Sequence, residues 1–189
     1  MRKIIEPGFD ITLPDDNGFR FQQKNTYQKL QHIKEMDFGW YHEADDVLYL
    51  VELKDWKDAR LLEDRDPNYT KEQLEALRTR IRNSKIKDLI GKSLGTAAML
   101  SSILLDRSTG KRLLRDLKQD CTVLDKLSTS TKLKFYSIAN WQETDTTYIQ
   151  NLADTYQSRF KSYADLFQVK PYQLITKQQA QRILPFTIR

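Results

Sequence analysis

Cysteine, glycine, proline and long hydrophobic runs are all scarce in this sequence of 189 residues. Its single cysteine, Cys121, excludes an internal disulfide framework and a cysteine-rich zinc site. Six glycines and five prolines exclude a collagen-like or loop-rich chain. The most apolar stretch, residues 94–105, is too short and too polar to span a bilayer, and no apolar run follows the basic start. We therefore expect a cytoplasmic protein with no membrane partner.

The composition that remains is typical of one folded domain with a weakly basic surface. Hydrophobic residues make up 39% of the chain and aromatic residues 11%, which suffices for a substantial core. Lysine and arginine number 31 against 26 acidic residues, a net charge of +5. This charge permits a nucleic-acid partner but does not require one. Homo-oligomers are possible, although the sequence does not indicate one.

Periodicity along the first part of the chain predicts strands before helices. Residues 9–13 and 19–21 alternate as strands do, and the turn-forming residues 14–18 between them predict a hairpin. A short helix is predicted over 25–34. Residues 38–41 and 47–53 follow as a second hairpin, and the unbroken apolar block 47–51 indicates a central strand buried on both faces.

The remainder alternates helices and strands, which is typical of an α/β domain with crossover connections. Thr70 and Gln73 form a capping-box pattern at the start of a helix. The later elements are predicted as a second helix near 85–105, a strand at 132–139, a helix at 146–167, a strand at 169–175 and a helix at 177–184. We predict a single α/β domain with a mixed central β-sheet flanked by helices. Its parts are an N-terminal hairpin extension (1–24), a core (25–140) and a closing helix–strand–helix unit (141–189).

The candidate chemistry lies at the end of the strand that looks most buried. Glu52 and Lys54 are two residues apart, so they share one face of the strand. By themselves they could form an ordinary surface ion pair. Hairpin pairing about a turn near Asp45, however, brings Asp37 opposite Lys54 within a residue or so, with Glu52 on the diagonal. Two converging carboxylates need a cation, and hard oxygen ligands select Mg²⁺ or Mn²⁺.

These residues resemble the motif of the PD-(D/E)xK nuclease superfamily, which has the restriction-endonuclease-like fold. In that motif an Asp opens one strand of a hairpin and an (Asp/Glu)-x-Lys closes the next, here Asp37 and Glu52-Leu53-Lys54. The resemblance is sharpest over residues 36–56 and extends through element order over about 25–140. Met36 stands in place of the motif's proline, and residues 25–34 lack the Glu that such enzymes often carry on their first helix.

The resemblance implies a metal-dependent nuclease, and it favours DNA over RNA as the substrate. Asp37, Glu52 and the Leu53 carbonyl would hold Mg²⁺ or Mn²⁺, and Asp37, Glu52 and Lys54 would form the catalytic set. Lys54 would position the attacking water and offset charge in the transition state. The alternative is a module that keeps this fold and binds nucleic acid or protein without catalysis.

Several other charged residues have two interpretations. Asp45 and Asp46 could supply the first carboxylate, but tight turns also favour aspartate. Lys57 and Arg60 could grip a phosphate or belong to a solvated loop. The basic stretch 78–92 could follow a nucleic-acid backbone or form a solvated helix face. Lys92, with Ser93, could approach the site from the helix behind the sheet, and Lys92 is a candidate nucleic-acid contact.

Overall fold

A mixed five-stranded sheet forms the centre of the molecule, and a small three-stranded sheet packs beside it. The computed structural model describes residues 1–22, 24–56, 69–141 and 146–189. Within them lie eight strands, namely β1 (Lys3–Glu6), β2 (Phe9–Thr12), β3 (Gly18–Phe19), β4 (Phe38–His42), β5 (Val47–Asp55), β6 (Lys132–Asn140), β7 (Val169–Thr176) and β8 (Thr187–Ile188). The same residues contain five α-helices, namely α1 (Asn25–Gln28), α2 (Lys71–Leu104), α3 (Ser108–Leu117), α4 (Thr146–Leu166) and α5 (Lys177–Ile183). The fold is a mixed α/β architecture, as predicted.

The large sheet has the strand order β3-β4-β5-β6-β7. Strands β3, β4 and β5 are antiparallel neighbours, whereas β6 lies parallel to β5 and β7 parallel to β6. Parallel neighbours require a crossover, which α2 with α3 supplies before β6 and α4 supplies before β7. The helix α2 begins with the predicted capping box between Thr70 and Gln73.

Both faces of the central strand β5 are covered, which confirms the interpretation of its apolar block. Leu48 and Leu50 belong to the core beneath α2, α3 and α4. Tyr49, Val51 and Leu53 belong to a second core, which the small sheet and α5 complete. Side chains alternate between these two cores because successive residues of a strand point to opposite faces.

The N-terminal hairpin exists, and the strand predicted at 9–13 is β2, but its partner is β1 and not the predicted strand at 19–21. Its arms are β1 and β2, joined at Pro7 and Gly8, and Gly8 has the positive φ of 77° that such a turn favours. The strand predicted at 19–21 shortens to β3, which pairs with β4 in the large sheet. The third strand of the small sheet is β8, which pairs with β2. This pairing joins segments far apart in sequence, so local patterns did not predict it.

Two helix predictions also need correction. The helix predicted over 25–34 is limited to α1, four residues long, and the chain leaves it through His32, whose φ is 69°. The two helices predicted on either side of residue 85 are one continuous helix, α2. No single described helix is long and apolar enough to cross a membrane; α2 and α3 pass that length and composition test only as a pair, bent by 101°.

Candidate active site

The hairpin of β4 and β5 brings the first carboxylate to the motif strand. Phe38 pairs with Val51 and Gly39 with Leu50, a register one residue from the predicted one. Asp37 stands just before the first residue of β4, and its Oδ2 accepts a hydrogen bond of 2.6 Å from the backbone N–H of Leu53. The carboxylate therefore accepts the hydrogen bond that the Leu53 N–H would otherwise donate to the backbone of a neighbouring strand. The N–H and C=O of one residue point to the same strand edge, so the Leu53 carbonyl faces the Asp37 side.

Glu52 lies on the same face of β5 as Leu50 and is only 1% exposed. Burial raises the pKa of Glu52 from 4.5 to about 7, and the neighbouring charge of Asp37 adds to this increase. The ammonium groups of Lys54 and Lys92 act in the opposite direction. Within the described part of the chain, Oε2 of Glu52 has no hydrogen-bond donor. A buried carboxylate with an unpartnered oxygen is costly unless a further positive group compensates it.

Two lysines meet at the other oxygen of Glu52. Lys54 Nζ lies 2.8 Å and Lys92 Nζ 2.7 Å from Glu52 Oε1. Lys92 Nζ is also 3.5 Å from Asp37 Oδ1, so one ammonium group lies between the two carboxylates. Burial opposes the charged form of each lysine, but the nearby carboxylates outweigh burial and raise the pKa of both.

Asp88 fixes the far side of Lys54. Its Oδ2 lies 2.8 Å from Lys54 Nζ, while its Oδ1 lies 2.6 Å from Lys34 Nζ. Burial alone would raise the pKa of Asp88, but the hydrogen bonds and charges of these two lysines lower it from 3.8 to about 2. Asp88 precedes Lys92 by one helical turn, so both residues lie on the face of α2 that covers the site.

Close packing of α2 holds the segment that precedes β4. Thr96 Oγ1 accepts a buried hydrogen bond of 2.8 Å from the backbone N–H of Met36. At Gly95, a β-carbon would lie only 1.8 Å from the carbonyl oxygen of Lys34, so only glycine permits this approach. The contact positions Asp37, which follows Met36 directly, against the end of β5.

A neutral polar cluster lies behind Glu52. Ser137 is the register partner of Glu52 on β6 and is 1% exposed. Ser93 on α2 and Tyr156 on α4 share a buried hydrogen bond of 2.9 Å. Burial raises the pKa of Tyr156 to about 12, so this phenol stays protonated. These hydroxyl groups make the surroundings of Glu52 less apolar than the rest of the core.

Glu35 is a further acidic residue near the site. Burial raises the pKa of Glu35, and the charges of Lys92 and Asp37 act on it in opposite directions. Glu35 is half-buried in the segment between α1 and β4. It therefore approaches the site from a connecting segment rather than from a helix.

The site supplies some of the oxygen ligands that a hard divalent cation requires. Asp37 and Glu52 each bring a carboxylate oxygen within 3.5 Å of Lys92 Nζ, and the Leu53 carbonyl faces the Asp37 side. Such oxygen ligands are preferred by Mg²⁺ and Mn²⁺. Among the described residues, however, no group of three or more His, Cys, Asp or Glu side chains could hold a metal ion. A cation here would thus depend on two side chains, the backbone carbonyl, water and substrate oxygens, as Mg²⁺ sites often do.

The predicted site residues fall into three groups. Asp37, Glu52, Leu53 and Lys54 lie together, and Lys92 joins them from α2. Lys57 and Arg60 lie outside the described residues. Asp45 and Asp46 form the turn of the hairpin, where Asp46 has a φ of 49°.

Asp88 was missed by the sequence interpretation, which assigned no role to it within the stretch 78–92. Its spacing of one helical turn from Lys92 is a signal for a shared helix face. That spacing does not tell which face of α2 covers the sheet. The face became evident only from the contacts of Asp88 with Lys34 and Lys54.

A cleft of about 1000 Å³ opens beside Lys54. One side is α2, and the other is the segment around Ile33 and Lys34. Glu52 is not among the described residues that line this cleft.

The chain matches no known family model, no curated protein and no solved structure.

Proposed function

We propose that this protein is a metal-dependent nuclease that hydrolyses phosphodiester bonds, with DNA favoured over RNA as the identity of its substrate. The observation that carries the proposal is the convergence of Asp37 and buried Glu52 with Lys54 at one end of β5. Charged side chains are seldom fully buried, and buried ionisable groups with shifted pKa values cluster at functional sites. The motif resemblance and the order of hairpin, helix and parallel strand support the same class of enzyme.

Asp37, Glu52 and the Leu53 carbonyl would hold the cation. When bound, Mg²⁺ would supply charge neutralisation at the phosphate and a more acidic water molecule. Asp37 is anchored by the N–H of Leu53, which leaves its second oxygen, Oδ1, directed toward Lys92. Glu52 must be deprotonated to act as a ligand, and its pKa of about 7 places that step near neutral pH.

Lys54 would act on the water and the phosphate rather than on the cation. Its ammonium group is held between Glu52 and Asp88, 2.8 Å from each. This anchoring fixes the ammonium at the boundary between the carboxylates and the open cleft. From that position it can orient a water molecule and stabilise negative charge on a phosphate oxygen.

Lys92 would serve two states of the same site. Its ammonium group neutralises Asp37 and Glu52 in this structure. With a divalent cation on those carboxylates, Lys92 would no longer be needed to neutralise them and could contact a phosphate instead. Lys92 therefore remains a proposed nucleic-acid contact, acting when the carboxylates hold a cation.

The decisive experiment combines a cleavage assay with metal titration by calorimetry. Wild-type protein should cut at least one of single-stranded, duplex or branched DNA, or RNA, with Mg²⁺ or Mn²⁺. Lys54→Met should abolish cleavage but retain cation binding, whereas Asp37→Asn should lose both. Glu75→Gln, an exposed carboxylate on α2, is the matched control and should change neither. Wild-type protein that binds no divalent cation and cuts none of these substrates would refute the proposal.

A non-catalytic binding module is the second candidate, and one observation favours it. The charges alternate in sign along a continuous network of ion pairs, in the order Lys34–Asp88–Lys54–Glu52–Lys92–Asp37, so each carboxylate already has an ammonium partner. Such a network can be purely structural. A binding module would bind nucleic acid in a salt-sensitive manner even in the presence of a chelator, and it would bind no divalent cation. The metal titration described above therefore distinguishes the two candidate functions.

A further inference from the structure

The cleft beside Lys54 combines an apolar floor with a basic rim. Its floor is built by aliphatic side chains of α2, such as Ile90 and Leu94, and by Ile33 from the facing segment. Gly91 deepens the floor, because a β-carbon there would meet only Lys34 Cδ, at 3.8 Å. A cleft of about 1000 Å³ is at the upper end of the ~300–1,000 Å³ typical of ligand sites, so it has room for an extended ligand.

The rim of the cleft is strongly cationic. The described residues that line it include four lysines, Lys34, Lys54, Lys85 and Lys87, and one carboxylate, that of Asp88. Asp88 already bridges two of them, Lys34 and Lys54. The described lining therefore carries a clear excess of positive charge, which favours a polyanionic ligand.

One wall of the cleft is aromatic. Trp56 lines it two residues beyond Lys54, and Lys85 Nζ lies 4.5 Å from the centre of the Trp56 ring. Trp141 and Tyr148, stacked at 5.2 Å, flank the same ammonium group at 5.8 and 5.6 Å. The three rings thus surround the ammonium group of Lys85, and of these rings the one of Trp56 lines the cleft.

We propose that this cleft binds a single-stranded nucleic-acid segment, with a base stacked on Trp56 and the phosphates along the lysine rim. Stacking platforms beside a basic groove are the usual means of single-strand binding. A duplex keeps its bases stacked inside and would leave both the apolar floor and Trp56 unused. The inference rests on the proposed function, since it names the substrate that would bring a phosphodiester to Lys54.

The test measures binding in a chelator, so it does not depend on catalysis. The probes are a fluorescent single-stranded oligothymidylate, the matching oligouridylate, and a blunt DNA duplex of equal length. We expect the protein to bind a single strand, of DNA, RNA or both, more tightly than the duplex. Trp56→Ala should weaken single-strand binding by about tenfold, and Trp56→Phe should restore most of it.

Charge variants test the rim separately. Lys87→Ala should weaken binding and reduce the salt slope by about 0.7 for each phosphate that the variant no longer neutralises. Lys161→Ala, an exposed lysine on α4 away from the cleft, is the matched control and should have no effect. Duplex binding as tight as single-strand binding, or no effect of Trp56→Ala in a folded variant, would overturn the inference.

The inference and the proposed function can fail independently. Cation binding that depends on Asp37, together with unchanged binding by Trp56→Ala, would leave the nuclease proposal intact and remove the single-strand cleft. Conversely, Trp56-dependent single-strand binding without any cation binding would support the cleft and remove the enzyme.

Discussion

Glu52→Gln should change the pH dependence of folding, because Glu52 holds its proton more tightly in the folded state. Its pKa rises from 4.5 to about 7 on burial. Folding stability must therefore fall as the pH rises from the unfolded pKa through the folded one. Between about pH 5 and about pH 8, the free energy of unfolding of wild-type protein should therefore fall by about 2.5 kcal/mol. In Glu52→Gln the side chain at position 52 no longer titrates, so the variant should not show this loss. Its side-chain volume is nearly unchanged, so packing is not altered.

The assay is urea unfolding of both proteins at several pH values between these limits. The difference in unfolding free energy should shift by about 2.5 kcal/mol in favour of the variant toward high pH. Asp88, with its pKa of about 2, changes stability only at lower pH and does not interfere. Glu75→Gln serves as the exposed control and should show no such shift. A difference that stays constant with pH would refute the reasoning about Glu52 burial.

Mg²⁺ extends the same experiment to the proposed function. At about pH 8, where Glu52 is ionised, a cation at ten times its Kd should stabilise wild-type protein by about 1.4 kcal/mol. Glu52→Gln removes one proposed ligand and should show much less stabilisation. Equal stabilisation of both proteins would place any bound cation elsewhere.

Three further changes test the surroundings of the site. Gly95→Ala should destabilise the protein by at least 1–2 kcal/mol in thermal or urea unfolding, because its β-carbon would lie 1.8 Å from the Lys34 carbonyl oxygen. Gly91→Ala, one helical turn earlier, should instead stabilise α2 by about 0.5–1 kcal/mol, because its β-carbon would make only an ordinary contact of 3.8 Å with Lys34 Cδ; a loss as large as that of Gly95→Ala would contradict the packing argument. Asp88→Asn should lower cleavage by leaving Lys54 less firmly positioned while cation affinity is retained; a variant with undiminished cleavage would show that Asp88 does not position Lys54.

The sequence by itself determined the elements whose partners are close along the chain. The apolar block at 47–51 predicted a strand buried on both faces, because such a run suits only a central position. Hairpin pairing is local, so the turn near Asp45 sufficed to bring Asp37 to the end of the motif strand within one residue. The Thr70 capping box likewise depends only on neighbours in sequence.

Only the tertiary structure decided which distant residues complete the site and the small sheet. Asp88 and Lys92 reach Lys54 and Glu52 because Gly95 lets α2 pack directly on the segment before β4. Periodicity shows that a helix has faces, but not which face meets the sheet. In the same way, β8 joins β2 from the other end of the chain. Such contacts depend on packing between segments far apart in sequence, and that information is not contained in any local pattern.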